Sequence, residues 1–235
     1  MERALVTGGS SGIGLALTKK LTSRKGNEQM EVHSFDVQKP RQRVRGLIAH
    51  TPVDVSKEDQ VAEAMQSIQG QLHYLFVNAG ILSRKGLFEI PPEEFQRMIN
   101  VNFFGSWLTL KTALDQNMLA PDAKVVQTCS IVGIEDDLGM ALAPYKLSKQ
   151  GVHAYGKAVH AVLPDVDFKV IYPGSVDTPM VNEGFASRRQ WLKQAKEKWG
   201  YVSSPEEVAD AMLNLAESDA RRAIWNSMTE EFDFD

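Results

Sequence analysis

The chain has a single cysteine, Cys129, so no internal disulfide can staple it. That scarcity excludes a small secreted domain held together by bridges and suits a reducing compartment. No apolar run approaches the length that crosses a bilayer. The amino end reaches Ala4, Leu5 and Val6 almost at once, without the charged region, apolar core and cleavage site of a secretory leader. A basic excess is also missing. Lys plus Arg number 26 against 30 Asp plus Glu, a net charge of −4, which excludes affinity built on neutralising nucleic-acid phosphates. His33, His50, His73, His153 and His160 show no close ligand spacing, so no metal site is expected. Repeats, low-complexity tracts and linkers are absent, and nothing in the 235 residues marks a domain boundary. These absences leave a soluble cytoplasmic protein with no nucleic acid or membrane as partner.

What is present is an alternation of short strand signals with longer helical ones. Arg3–Thr7 reads as a buried strand, followed by Ile13, Leu17 and Leu21 at helical spacing. Val32–Asp36, Leu47–Val53, Leu72–Asn78, Lys124–Ser130 and Asp167–Tyr172 are further strand candidates, with a weak last one at Ala223–Met228. Between them, Ser56 and Asp59 read as a capping box. Pro91, Pro92, Glu93 and Glu94 open a helix expected over 92–117. Another runs from Tyr145 to Val162, and Ser204, Pro205 and Glu207 cap a final one. Such alternation predicts an α/β domain, a doubly wound parallel sheet with helices on both faces. Ligands of these sheets bind at the carboxyl ends of the strands.

Just after the first strand lies Thr7-Gly8-Gly9-Ser10-Ser11-Gly12-Ile13-Gly14. A glycine-rich turn opening a helix lets the backbone approach a pyrophosphate, which the free N–H groups of the helix end then hold. By itself the segment also suits a plain tight turn. Asp36 ends the second strand, 22 residues after Gly14, where a carboxylate accepts hydrogen bonds from an adenosine ribose. A 2′-phosphate there would meet like charge costing roughly 4 kcal/mol at about 4 Å. Position 11 is serine, with no cation to compensate, and Lys39, Arg41 and Arg43 lie past Asp36. NAD is therefore expected over NADP.

Tyr145 and Lys149 stand four residues apart near the start of a helix, on one face. A free phenol has a pKa of about 10, and an ammonium about 4 Å away in a partly dry site would lower it by about three units. Spacing alone also fits an ordinary surface pair. Ser130 at the end of the preceding strand adds a hydroxyl that can hold a substrate oxygen beside Tyr145.

Together these segments resemble the short-chain dehydrogenase/reductase family, in its simple form of about 250 residues. The ordered set is the 7–14 turn, Asp36, Val-Asp-Val at 53–55, Asn-Ala-Gly at 78–80, Asn-Val-Asn at 100–102, Ser130, Tyr145 with Lys149, and Pro173-Gly174 before Thr178. The resemblance implies a Rossmann-type, NAD(P)-dependent oxidoreductase. Tyr145 would be the acid/base, Lys149 would hold the nicotinamide ribose and lower the phenol pKa, Ser130 would position the substrate, and Asn102 would hold a relay water. Gly8, Gly12, Ile13 and Gly14 would cradle the cofactor; Asp54 and Val55 would flank the adenine. Asn78, Ala79 and Gly80 would form the floor, with Pro173, Gly174, Val176 and Thr178 receiving the nicotinamide.

Departures accompany the likeness. Ser130 and Tyr145 are 15 apart, two more than expected, and the 133–144 loop carries Glu135, Asp136 and Asp137. Those acids read either as a solvated turn or as a bar to anionic substrates. The 180–200 segment mixes Arg188, Arg189, Lys193, Lys196 and Lys198 with Trp191 and Trp199. It reads as a surface helix packed on the core or as a substrate lid. Phe103, Phe104, Trp107 and Leu110 make one helix apolar on more than one side, which predicts a homodimer or homotetramer. The expected reaction interconverts a secondary alcohol and a ketone with NAD. The alternatives are an NADP-linked carbonyl reductase and a non-catalytic dinucleotide-binding sensor.

Overall fold

The computed structural model describes residues 1–25, 29–40, 43–134, 142–182 and 185–235. Strands β1 (Glu2–Thr7), β2 (Met30–Phe35), β3 (Leu47–Thr51), β4 (Leu72–Val77), β5 (Leu119–Thr128), β6 (Asp167–Tyr172), β7 (Arg222–Asn226) and β8 (Glu231–Phe234) form one sheet. Its order is β3-β2-β1-β4-β5-β6-β7-β8. Every neighbouring pair is parallel except β7 with β8. The helices are α1 (Gly12–Ser23), α2 (Glu58–Gln66), α3 (Pro92–Ile99), α4 (Gly105–Asp115), α5 (Ala143–Val162), α6 (Pro179–Asn182), α7 (Arg188–Trp199) and α8 (Pro205–Glu217).

Both faces of the sheet are buried, because successive side chains point to opposite sides. From β1, Leu5 joins one apolar cluster while Ala4 and Val6 join the other; from β5, Val125 and Val126 divide likewise. One cluster takes Val61 and Met65 of α2, Leu108 and Leu110 of α4, and Val152 and Val159 of α5. The other takes Leu17 and Leu21 of α1 with Val208, Met212 and Leu215 of α8. The predicted doubly wound arrangement is therefore present. Strand order reverses between β1 and β4, which puts the ligand crevice above those two strands.

Four local expectations are corrected. Ser56 and Asp59 form no capping box: the Ser56 hydroxyl donates to Asp54 Oδ1, and α2 starts from Lys57 without a side-chain cap. The 92–117 helix is interrupted by a π-helical turn at Asn100–Phe104. There the Ser106 hydroxyl donates to the Asn102 carbonyl while the Asn102 amide turns to bond Ile81. The sheet is not wholly parallel, since the acidic tail folds back as antiparallel β8. Arg222 pairs with the Asp235 carboxylate at the end of that hairpin. Finally, β5 begins five residues earlier than Lys124, behind a register shift opposite Leu72–Tyr74. The capping box of α8 forms as expected, with Ser204 and Glu207 bonding reciprocally.

Candidate active site

The glycine turn is built as a cradle. Gly8 and Gly12 have φ of +69° and +50°, values that L side chains rarely adopt. A Cβ on Gly14 would overlap the Gly8 carbonyl oxygen, so the first turn of α1 closes onto β1 only with glycine there. α1 has no acid in its first turn and no side-chain cap from Ser11, leaving its N–H groups for an anion. Ile13 lies in that turn, half-buried. Across the crevice, Thr7 Oγ1 accepts from the N–H groups of Asn78 (2.9 Å) and Ala79 (3.1 Å). These bonds lock the ends of β1 and β4 together. A Cβ on Gly12 would lie 3.0 Å from the Thr178 methyl, so Thr178 sits directly over the turn.

Asp36 follows β2 beside this turn. Its Oδ2 accepts from Ser10 N (3.0 Å) and its Oδ1 from Gln38 N (2.9 Å), which fixes the carboxylate while leaving lone pairs free for ribose hydroxyls. Asp54 is tied locally, its Oδ1 taking both the N–H and the hydroxyl of Ser56. Val55 is buried against Gly105, where a Cβ would come within 2.8 Å of it. Of the cations after Asp36, Arg43 lines a cavity of about 700 Å³ at the carboxyl end of α1, with Thr22 and Arg24, away from the carboxylate. Arg41 lies outside the described residues. Lys39 stays close enough to influence His50 beside the turn.

The second half of the site hangs from β5, β6 and α5. Lys149 is 4% exposed; its ammonium donates to the Thr128 carbonyl (3.2 Å) and lies 5.8 Å from the centre of the Tyr145 ring. Ser130, at the end of β5, donates to the Pro173 carbonyl (3.4 Å), and its hydroxyl stands beside the Tyr145 phenol, on which it acts. Pro173 O further accepts from Ile131 N (3.0 Å), joining the ends of β5 and β6. A Cβ on Gly174 would collide with the indole of Trp225, so that glycine admits β7 to the site's wall. Val176 bridges to Ser203.

Asn102 is fully buried in the π turn. Its Oδ1 accepts from Ile81 N (2.7 Å), and its Nδ2 donates to Ile81 O and Ser148 Oγ (both 2.9 Å). A Cβ on Gly80 would lie 3.3 Å from Asn102 Oδ1 and 3.8 Å from Lys149 Nζ, so Gly80 separates two polar groups. Ser148 and Thr128 were missed in the sequence. Ser148 links Asn102 to the Tyr145 carbonyl, to which its hydroxyl donates at 2.7 Å, and its place between Tyr145 and Lys149 was the available signal.

The electrostatics differ from the expectation in one respect. Burial pushes the Tyr145 phenol up, the neighbouring Cys129 thiol adds to this, and the hydrogen bond from Ser130 opposes it. Burial also lowers Lys149. Desolvation is thus the largest influence on the phenol, ahead of Cys129 and Ser130. Cys129 is buried and its thiol is pushed up to about 11 by burial, as for an inert small hydrophobe. Glu135, Asp136 and Asp137 lie outside the described residues.

A doubly wound sheet with a glycine cradle at its switch point and a Ser-Tyr-Lys cluster beside it defines a dinucleotide-binding oxidoreductase site. The family model for short chain dehydrogenase matches residues 2–189, and the chain belongs to this family. It is 30% identical to the 3-oxoacyl-[acyl-carrier-protein] reductase FabG of Chlamydia trachomatis, over 92% of this chain and 90% of that one. It is 25% identical to the NADP-dependent (R)-specific alcohol dehydrogenase of Lentilactobacillus kefiri, over 94% and 91%. Among solved structures, the aldohexose dehydrogenase of Thermoplasma acidophilum superposes with a TM-score of 0.79 at 25% identity, over 92% of this chain and 86% of that one. The chain is thus an NAD(P)-dependent oxidoreductase of the short-chain type, and no helix among the described residues is long and apolar enough to cross a membrane.

Proposed function

We propose that the protein interconverts a secondary alcohol and a ketone with NAD(H). The observation that carries this reading is the grouping of Ser130, Tyr145 and Lys149 at the strand ends, in a chain whose first turn needs glycine at positions 8, 12 and 14. The residues fit a dinucleotide: the first turn of α1 offers N–H groups for a pyrophosphate, and Asp36 offers acceptors for a ribose. The nicotinamide, when bound, supplies the hydride acceptor or donor. Ser130 holds the substrate oxygen, and Tyr145 takes or gives its proton. Lys149 favours the phenolate and reaches the nicotinamide ribose. Asn102 braces the start of α5 through Ser148 and presents Oδ1 towards the floor at Gly80. Asp54 and Val55 flank the adenine, and Asn78 and Ala79 complete the floor. Pro173, Gly174, Val176 and Thr178 meet the nicotinamide end.

Like charge at Asp36 favours NAD, and the placement of Arg43 at the far end of α1 supports this. The chain forms one domain in which the 180–200 segment covers the substrate. Phe103, Phe104 and Trp107, each more than a third exposed, supply a face for pairing with a second copy. The deciding experiment is a nicotinamide-absorbance assay with an alcohol and ketone panel. Wild-type kcat/KM should be at least tenfold higher with NAD(H) than with NADP(H). Tyr145→Phe should lose 10²–10⁴ in rate, the usual worth of general acid–base catalysis, while still binding NADH. Near-normal turnover in Tyr145→Phe refutes the mechanism.

A further inference from the structure

The carboxylate that faces the adenosine ribose has a titratable neighbour that the oxidoreductase mechanism does not use. β2 and β3 pair in parallel with Ser34 opposite His50, so the two side chains leave the sheet on the same face. That face is turned to the glycine turn, because a Cβ on Gly9 would collide with the Ser34 hydroxyl. His50 Nδ1 lies 3.5 Å from Ser10 Oγ, and the backbone N–H of the same Ser10 donates to Asp36 Oδ2 at 3.0 Å. The imidazole therefore stands one residue behind the carboxylate, with Ser10 between them. Its Nε2 is buried with no hydrogen-bond partner among the described residues, so the ring is not committed to a structural bond at that end. The charged groups that act on it are Asp36 and Lys39, both from the segment after β2. Burial, the largest effect, and Lys39 hold His50 below the usual histidine range, while Asp36 pulls it up.

We infer that His50 is a specificity-determining residue for the cofactor: neutral, it leaves the Asp36 charge to repel a 2′-phosphate, and protonated, it offsets that charge. This rests on the NAD-linked reading above. The consequence is a preference for NAD over NADP that narrows as the pH falls.

The test is equilibrium binding of NADH and NADPH to the whole protein, by tryptophan fluorescence quenching, at pH 8 and pH 5.5. Wild type is compared with His50→Gln and His50→Asn, each checked for folding by circular dichroism. Titration of the 2′-phosphate itself is common to all three proteins and cancels in the comparison. The wild-type ratio Kd(NADPH)/Kd(NADH) should fall by about tenfold more than in the variants, the effect of one unit charge over roughly 8 Å at an effective dielectric of about 30. An equal pH response in wild type and in whichever variant folds overturns the inference and leaves the NAD reading intact. Tighter binding of NADPH than NADH by wild type at both pH values overturns the NAD reading instead. A difference in pH response that persists there still supports the role of His50.

Discussion

Replacing Lys149 by methionine keeps an unbranched buried chain and removes one charge, so it isolates what the ammonium does to Tyr145. At 5.8 Å from the ring centre, a unit charge favours the phenolate by about 3 kcal/mol at an effective dielectric of about 20, or about two pKa units. Burial and Cys129 work against it by raising the phenol, and the bond from Ser130 works with it. Losing the ammonium should therefore move the phenol upward by one to two units. Alcohol oxidation needs the deprotonated tyrosine, so the rising limb of log kcat against pH should shift to higher pH by that amount. At pH 7 turnover should fall about 10- to 100-fold. The assay is initial rate from pH 5.5 to 10.5, with NAD held above a separately measured dissociation constant for each protein, because the proposed mechanism also assigns Lys149 to the nicotinamide ribose. A Lys149→Met profile that drops in height with its inflection unmoved would refute the electrostatic role and reduce the lysine to a cofactor-binding group.

Trp191 is 2% exposed and Ala195 fully buried, one covered stripe on α7. Trp191→Ala should lower unfolding free energy by about 3–5 kcal/mol and, if α7 roofs the substrate, raise KM at low temperature with NADH affinity unchanged. Normal kinetics beside a lowered melting temperature would return α7 to a purely structural role. Burial, chiefly, holds His33, His50 and His153 below the ordinary value of 6.5. The unfolded chain then binds protons that the folded one refuses, so stability present above pH 6.5 should be lost as the pH falls below it. Urea midpoints at pH 7.5, 6.0 and 5.0 should decline in that order, and a flat series would contradict the assignment.

The parts of the fold legible in the sequence are those where one local rule acts without competition. Strands buried on both faces read as continuous apolar runs, and Leu72–Val77 is such a strand. Glycines forced by geometry, such as Gly8 and Gly14, stand out at fixed offsets from a strand end. The errors fall where a side chain chose a partner distant in sequence or an equally good one nearby. Ser56 had two carboxylates within reach and took Asp54 rather than capping α2. Asn102 bonds Ile81, 21 residues away, and the helix around it widens into a π turn that no periodicity announces. Pro121 and Asp122 disguise the first half of β5, since neither suits a central strand, and the register shift there absorbs them.

The same distinction separates the phenol's sequence neighbours from the burial that sets its electrostatics. Tyr145 and Lys149 are neighbours on one helix face, so their pairing needed only the helical repeat. How dry the pair is depends on Cys129, Ser130 and Pro173, which β5 and β6 bring up from other parts of the chain. Proximity favours the phenolate by an amount set by one distance, whereas desolvation is the sum of everything packed around the hydroxyl and acts in the opposite sense. A tyrosine raised by its own pocket does no proton transfer at neutral pH until further charge stabilisation arrives. Lys149, held in place by the Thr128 carbonyl, is positioned to supply it. The end of β5 thus does two jobs: Thr128 aims the ammonium, and two residues on, Ser130 places a hydroxyl beside the phenol. Any change that shifts the end of β5 against α5 should move the pH profile and substrate affinity together, because the proposed mechanism uses Ser130 for the phenol and the substrate oxygen alike.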